Sequence, residues 1–171
     1  QMTVNRIAST AVLIAFMLAT CSAAKANESD ILAARPTLCA IESRSHRFPD
    51  TAVSAKGAVG YCQILPDTAS WVVKHAIADG LLVHGFIVFY GKPDAWKWLL
   101  QVRFVNEAIA DAYLLWIYRN RSHDIRTVLY KYHAGHQKRL KRGTESWRHS
   151  NEVFGALYPH TRPPRAPIAK V

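Results

Sequence analysis

Acidic side chains are few in this chain. Twelve aspartates and glutamates stand against 22 lysines and arginines in 171 residues, a formal charge of +10. That imbalance excludes an acidic surface and points to anionic partners. Charged residues of both signs together make up 20% of the chain and hydrophobic ones 50%, which excludes a polar, disordered polypeptide. No internal repeat or low-complexity block occurs, so a repeat array is excluded as well. Beyond residue 19 no apolar run is long enough to cross a bilayer; Leu81 to Tyr90 is about half the required length. With three cysteines in all, a scaffold held by many bridges is ruled out. What remains is one compact domain.

The first 26 residues read as a secretory signal. Arg6 gives a positive start, Ile7 to Ala19 an apolar centre, and Ala24-Lys25-Ala26 a small-x-small cleavage pattern. Leu18-Ala19-Thr20-Cys21 loosely resembles a lipoprotein box, so lipidation at Cys21 and an uncleaved N-terminal anchor are the alternatives. Cleavage removes Arg6 and Lys25 and no acidic residue, leaving 20 basic against 12 acidic side chains, or +8. Such a surface suits nucleic acid in the cytosol. An exported chain meets the anionic envelope first, so a periplasmic or cell-envelope location and no nucleic-acid partner are expected. Residues 27–160 are then the functional domain, and 161–171 a Pro/Arg-rich tail whose prolines exclude a continuing helix.

The fold class expected is mainly α, an α+β arrangement with a small β element near the site. Ser29 to Ala34 is weakly helical, and Pro36 suits the first turn of a helix running to about Ser45. Gly57, Gly60 and the β-prone Tyr61, Cys62 and Ile64 predict a turn and short strand. Pro66-Asp67 opens a helix to about Ala78. Leu81 to Tyr90, split by His84-Gly85, predicts a small hairpin or a buried loop. One helix is expected from Asp94 to about Tyr118, burying Val105, Ile109, Ala112 and Trp116. Two more cover Asp124 to Tyr132 and Glu145 to Leu157. Lys138 to Arg142 reads as a solvated helix end, and Trp96, Trp98, Trp116 and Trp147 as mostly core.

Glu42 stands near the end of the first helix, where the dipole disfavours negative charge and helps keep a carboxyl protonated. Glycosidic bond cleavage requires such a proton donor. With Cys21 gone, Cys39 and Cys62 are an even pair in an oxidising compartment. A disulfide between them staples the helix bearing Glu42 to the segment bearing Gln63; two buried free thiols are the alternative. Of the histidines, His75, His84, His123, His133, His136, His149 and His160 have no carboxylate or cysteine at ligand spacing along the chain, so no metal and no cofactor are expected.

Four blocks in order carry a family resemblance: Ile41-Glu42-Ser43; Ala52 through Ala69, including Gly57-Ala58-Val59-Gly60-Tyr61-Cys62-Gln63-Ile64; Asn106 with Tyr113-Leu114; and Lys131-Tyr132-His133-Ala134-Gly135. They resemble the soluble-lytic-transglycosylase (SLT) domain, related to goose-type lysozyme, over about residues 31 to 140. The resemblance implies cleavage of the MurNAc-GlcNAc bond of peptidoglycan with formation of a 1,6-anhydro sugar. It makes Glu42 the single catalytic acid/base, and Ser43, Ser54, Gly57, Gly60, Gln63, Tyr132 and His133 the residues that shape the site or reach the glycan strand. The chain departs from the pattern in an apparent insertion at Ser45-His46-Arg47, in Cys62 for methionine, in His133 for asparagine, and in the segment 81–90. Two other readings stay open. A hydrolytic lysozyme needs a second carboxylate, for which Asp50 and Asp67 are nearest in sequence. A non-catalytic wall-binding factor of a secretion or conjugation apparatus needs no acid at all.

Overall fold

A computed structural model describes residues 26–81 and 89–161. The expected signal segment with Cys21, most of the expected hairpin or loop at 81–90, and the expected tail lie outside the described residues. Six α-helices account for most of what is described: α1 Glu28–Ser43, α2 Pro66–Ala78, α3 Pro93–Leu99, α4 Arg103–Asn120, α5 Ile125–Ala134 and α6 Glu145–Leu157, with short 3-10 turns at Pro49–Thr51 and Pro159–Thr161. The chain is mainly α, as expected. Among the described residues no helix is long and apolar enough to cross a membrane.

Local chemistry explains the boundaries. Asn27 caps α1 in a reciprocal box: its side chain accepts from the Asp30 amide at 3.0 Å, and the Asp30 carboxylate accepts from the Asn27 amide at 2.9 Å. Pro66 and Pro93 sit in the first turns of α2 and α3, where no donor is missed. Asp124 and Thr144 cap α5 and α6 through their side chains.

Two expectations about helix ends are corrected. α1 does not begin at Pro36 but runs through it. Both Pro36 and Leu32, whose carbonyl loses its helical partner, face solvent, so water can replace the missing bond. The expected helix from Asp94 to Tyr118 is broken at Leu100–Val102 into α3 and α4. The break leaves the Leu100 carbonyl accepting from Asn106 Nδ2 at 2.8 Å.

α4 is the central helix, packed against α1, α2 and α5. It buries Val105, Ile109, Ala112 and Trp116 as the spacing predicted, and also Ala110, Tyr113, Leu114 and Ile117, so it is apolar around most of its girth. α6 lies across α5 and α1. Trp96 and Trp116 are core, whereas Trp98 is 74% exposed, contrary to expectation. Lys138 to Arg142 forms the exposed loop between α5 and α6 and not a helix end, because α5 stops at Gly135 with φ +94°.

The β element is smaller than a strand. Val59 pairs antiparallel with Val53 on one side and Ile64 on the other. Residues Tyr61 to Gln63, expected as strand, form the tight turn between the latter two. This knot is clasped by the fully buried Asn106, whose Oδ1 accepts from the Cys62 amide at 2.8 Å and whose Nδ2 donates to the Val59 carbonyl at 2.9 Å.

Candidate active site

Cys62 is the junction that fixes the site. It is bonded to Cys39 of α1 as a disulfide, its amide donates to Asn106 of α4, and its carbonyl accepts from the Tyr132 hydroxyl of α5 at 3.1 Å. Three helices are thereby held to one turn, and Glu42, one helical turn beyond Cys39, is held with them. The next residue, Gln63, has φ +50°, the left-handed region that a side chain with Cβ rarely occupies. Its side-chain amide donates to the Gly60 carbonyl at 2.8 Å, which stabilises that conformation.

A cleft of about 440 Å³ opens over this turn. Glu42, Ser54, Gln63, Tyr132 and His133 all line it, joined by Tyr113, from the third block of the resemblance, and by Lys56, neither of which was named as a site residue. Ser54 also accepts from the Ala58 amide at 3.0 Å, closing the turn beneath the cleft wall.

Three of the residues that the resemblance placed at the substrate are not on the lining. Ser43 is buried, its hydroxyl donating back to the Cys39 carbonyl at 2.9 Å. Gly57, with φ +81°, serves a turn in open space. Gly60 is required for a different reason: a Cβ there would run into the Leu100 carbonyl and the Asn106 amide. Both glycines occupy positive φ, which backbone geometry at these turns requires.

Glu42 is 13% exposed. Burial, reinforced by the nearby Glu145 carboxylate and opposed by Arg44, pushes its pKa up to about 8. The carboxyl is therefore protonated at neutral pH. His149 of α6 places Nε2 3.3 Å from Glu42 Oε1, and burial followed by the field of His133 pushes that imidazole down to about 4. The contact thus joins two neutral groups and is not an ion pair. His133 is lowered mainly by burial as well; its ring stacks on His149 with centroids 4.4 Å apart, and its Nδ1 lies 2.9 Å from Ser146 Oγ. Tyr132 is raised by burial and by the proximity of Glu42.

The sequence argument against a metal rested on spacing along the chain. In space its ground fails, because Glu42, His133 and His149 bring ligand atoms within 4.8 Å of one another. His136, by contrast, lies past the end of α5 and stacks on Trp71, away from this group. Sequence reasoning weighed His149 only as one of seven histidines without a ligand at spacing along the chain, and missed Glu145 altogether. Their only local signal is the i, i+4 spacing on α6, which says that they share a face but not that the face meets α1.

Asp50 and Asp67, the candidates for a second carboxylate, do not line the cleft. Asp50 pairs with Arg103 at 3.2 Å, and Asp67 borders a separate hollow beside Trp71 and Tyr90. Among the described residues Glu42 is the one acidic side chain on the cleft wall. The site can hold a proton on a single carboxyl beside polar and aromatic groups and release it to a bound molecule. No protein-family model, no curated protein and no solved structure matches this chain.

Proposed function

We propose that this chain is an exported peptidoglycan lytic transglycosylase of the SLT type, with Glu42 as its acid/base. The observation that carries the reading is that Glu42, largely buried and pushed up to a pKa of about 8 by that burial, is among the described residues the one acidic side chain lining a 440 Å³ cleft. A glycosidic oxygen must receive a proton as it leaves, and a carboxyl still protonated at neutral pH supplies it. Once ionised, the same carboxylate takes the proton of the sugar's C6 hydroxyl as that oxygen attacks the anomeric carbon. The intramolecular attack replaces water, and substrate groups replace the second carboxylate.

The surrounding residues suit this cycle. Gln63, Ser54 and Tyr113 offer polar atoms along the wall, fitting a hydroxyl-rich glycan strand. Tyr132 donates its proton to Cys62 and so acts as a positioning residue. The mature charge of +8 favours approach to an anionic wall. A small catalytic unit of this kind fits local wall opening for a secretion or conjugation apparatus.

The test is digestion of purified sacculi. Wild type clears turbidity and releases muropeptides with anhydro termini, whereas Glu42→Gln, which keeps the shape and loses the proton, does neither. Clearing unchanged in Glu42→Gln refutes the reading. Wall pelleting that survives in a wild type unable to clear favours the binding-module alternative.

A further inference from the structure

We propose that Glu42, His133 and His149 form a binding site for a zinc-type divalent ion, and that the ion holds the cleft's acid in an inactive state. The binding claim stands on geometry alone. The inhibitory claim rests on the reading of Glu42 as the acid.

The three side chains come from α1, α5 and α6, and their ligand atoms all lie within 4.8 Å of one another. Tetrahedral zinc with bonds of about 2.0–2.2 Å separates its ligands by roughly 3.4 Å, so the side chains need to draw in by at most about 1.4 Å. That is within the reach of χ rotations of three side chains and needs no helix to move.

Each ligand is prepared in its own way. Both ring nitrogens of His149 are shut off from solvent and lack a hydrogen-bond partner, although Nε2 is only 3.3 Å from Glu42 Oε1. A buried polar atom left without a partner is costly and calls for an explanation; a metal ion at Nε2 supplies one. His133 has Nδ1 engaged with Ser146 Oγ at 2.9 Å, which orients the ring and leaves Nε2 as the ligand atom. Metal-bound histidines are commonly held through their other nitrogen in this way. Glu42 supplies one carboxylate oxygen.

Two imidazoles and one carboxylate select among ions. Calcium and magnesium take oxygen ligands, whereas zinc and its transition-metal neighbours accept nitrogen and oxygen together. Glu42 and His133 both face the cleft, so a fourth position remains on the side where substrate enters. A carboxylate bound to the ion carries no proton and cannot give one to a leaving oxygen. Metal and glycan cleavage therefore exclude each other, and zinc availability governs activity.

The experiment is a zinc titration of the chelator-stripped full chain against a chromophoric zinc chelator, paired with sacculus clearing with and without stoichiometric zinc. Expected are one tight zinc per chain, affinity reduced in His133→Ala and in His149→Ala by at least the roughly 10–100-fold that loss of an outer-shell partner costs, and no change in His75→Ala or His123→Ala. Glu42→Gln, which keeps the side chain's shape, also weakens binding and guards against misfolding of the histidine variants, whose helical circular dichroism is compared with wild type. Clearing stops with zinc and returns when the ion is removed. Binding that is absent, or indifferent to all three substitutions, overturns the site. Clearing that persists or quickens with zinc bound overturns the inhibition while the site stands. A protein that binds zinc through these residues but never clears sacculi, stripped or loaded, sinks the transglycosylase reading and the inhibition with it.

Discussion

Replacing Glu42 by glutamine should make the protein more stable, and the gain should grow with pH. The glutamate carboxyl ionises at 4.5 in the unfolded chain and at about 8 in the folded one. Between those values the unfolded state gives up its proton and the folded state keeps it, so stability falls as pH rises, by about 1.36 kcal/mol per pH unit. Over the full window the loss approaches about 5 kcal/mol, and at pH 7 it already amounts to about 3 kcal/mol. His149 works in the opposite direction. Its imidazole titrates at 6.5 unfolded and at about 4 folded, so its contribution is lost as pH falls through that range. The two slopes cancel between about pH 4.5 and 6.5, and the Glu42 slope stands alone from there to about pH 8. Subtracting wild type from Glu42→Gln isolates the glutamate, because burial and His133, not Glu42, depress His149. Urea denaturation followed by helical circular dichroism at about pH 4.5, 6, 7.5 and 8.5 measures the difference. A gain that stays flat across that range would show Glu42 to be an ordinary solvated carboxylate, and the argument for a protonated acid would fall.

Other perturbations test the frame around the acid. Removing the disulfide as Cys39→Ser with Cys62→Ser frees a loop closed over a separation of 23 residues, a loss of about 3.4 kcal/mol by chain entropy; an unchanged urea midpoint contradicts it. Gly60→Ala forces a Cβ into the Leu100 carbonyl and Asn106, so the clasp opens and soluble, helical protein should be lost; a variant as stable as wild type refutes that packing. Tyr132→Phe loses one hydrogen bond to Cys62, about 1 kcal/mol of stability, and should slow clearing of sacculi well beyond what that loss of folded protein explains.

Much of the fold was legible because its signals are local. The apolar spacing of α4, the proline opening α2 and the capping residues of α5 and α6 each mark an element within a few residues. The break between α3 and α4 was not legible, since it depends on Asn106 reaching back to Leu100 and across to the Val59–Cys62 turn. Pro36 misled for a related reason: a proline inside a helix is tolerable only when its face is solvent, and that face is set by packing. At the site, Glu42, Ser54, Gln63, Tyr132 and His133 were brought together around one cleft. Ser43, Gly57 and Gly60 carry the same motif, but their side chains or backbones serve the turn and the helix end. His149 and Glu145 follow Glu42 by more than 100 residues, and only the packing of α6 on α1 and α5 puts them beside it.

The most direct test of a single carboxylate acting as acid and then base is digestion of sacculi in water enriched in oxygen-18, with the new sugar termini weighed by mass spectrometry. An intramolecular attack leaves anhydro termini without the label, and Glu42→Gln produces none of them. Labelled reducing termini, or unlabelled anhydro products still formed by Glu42→Gln, would contradict the account.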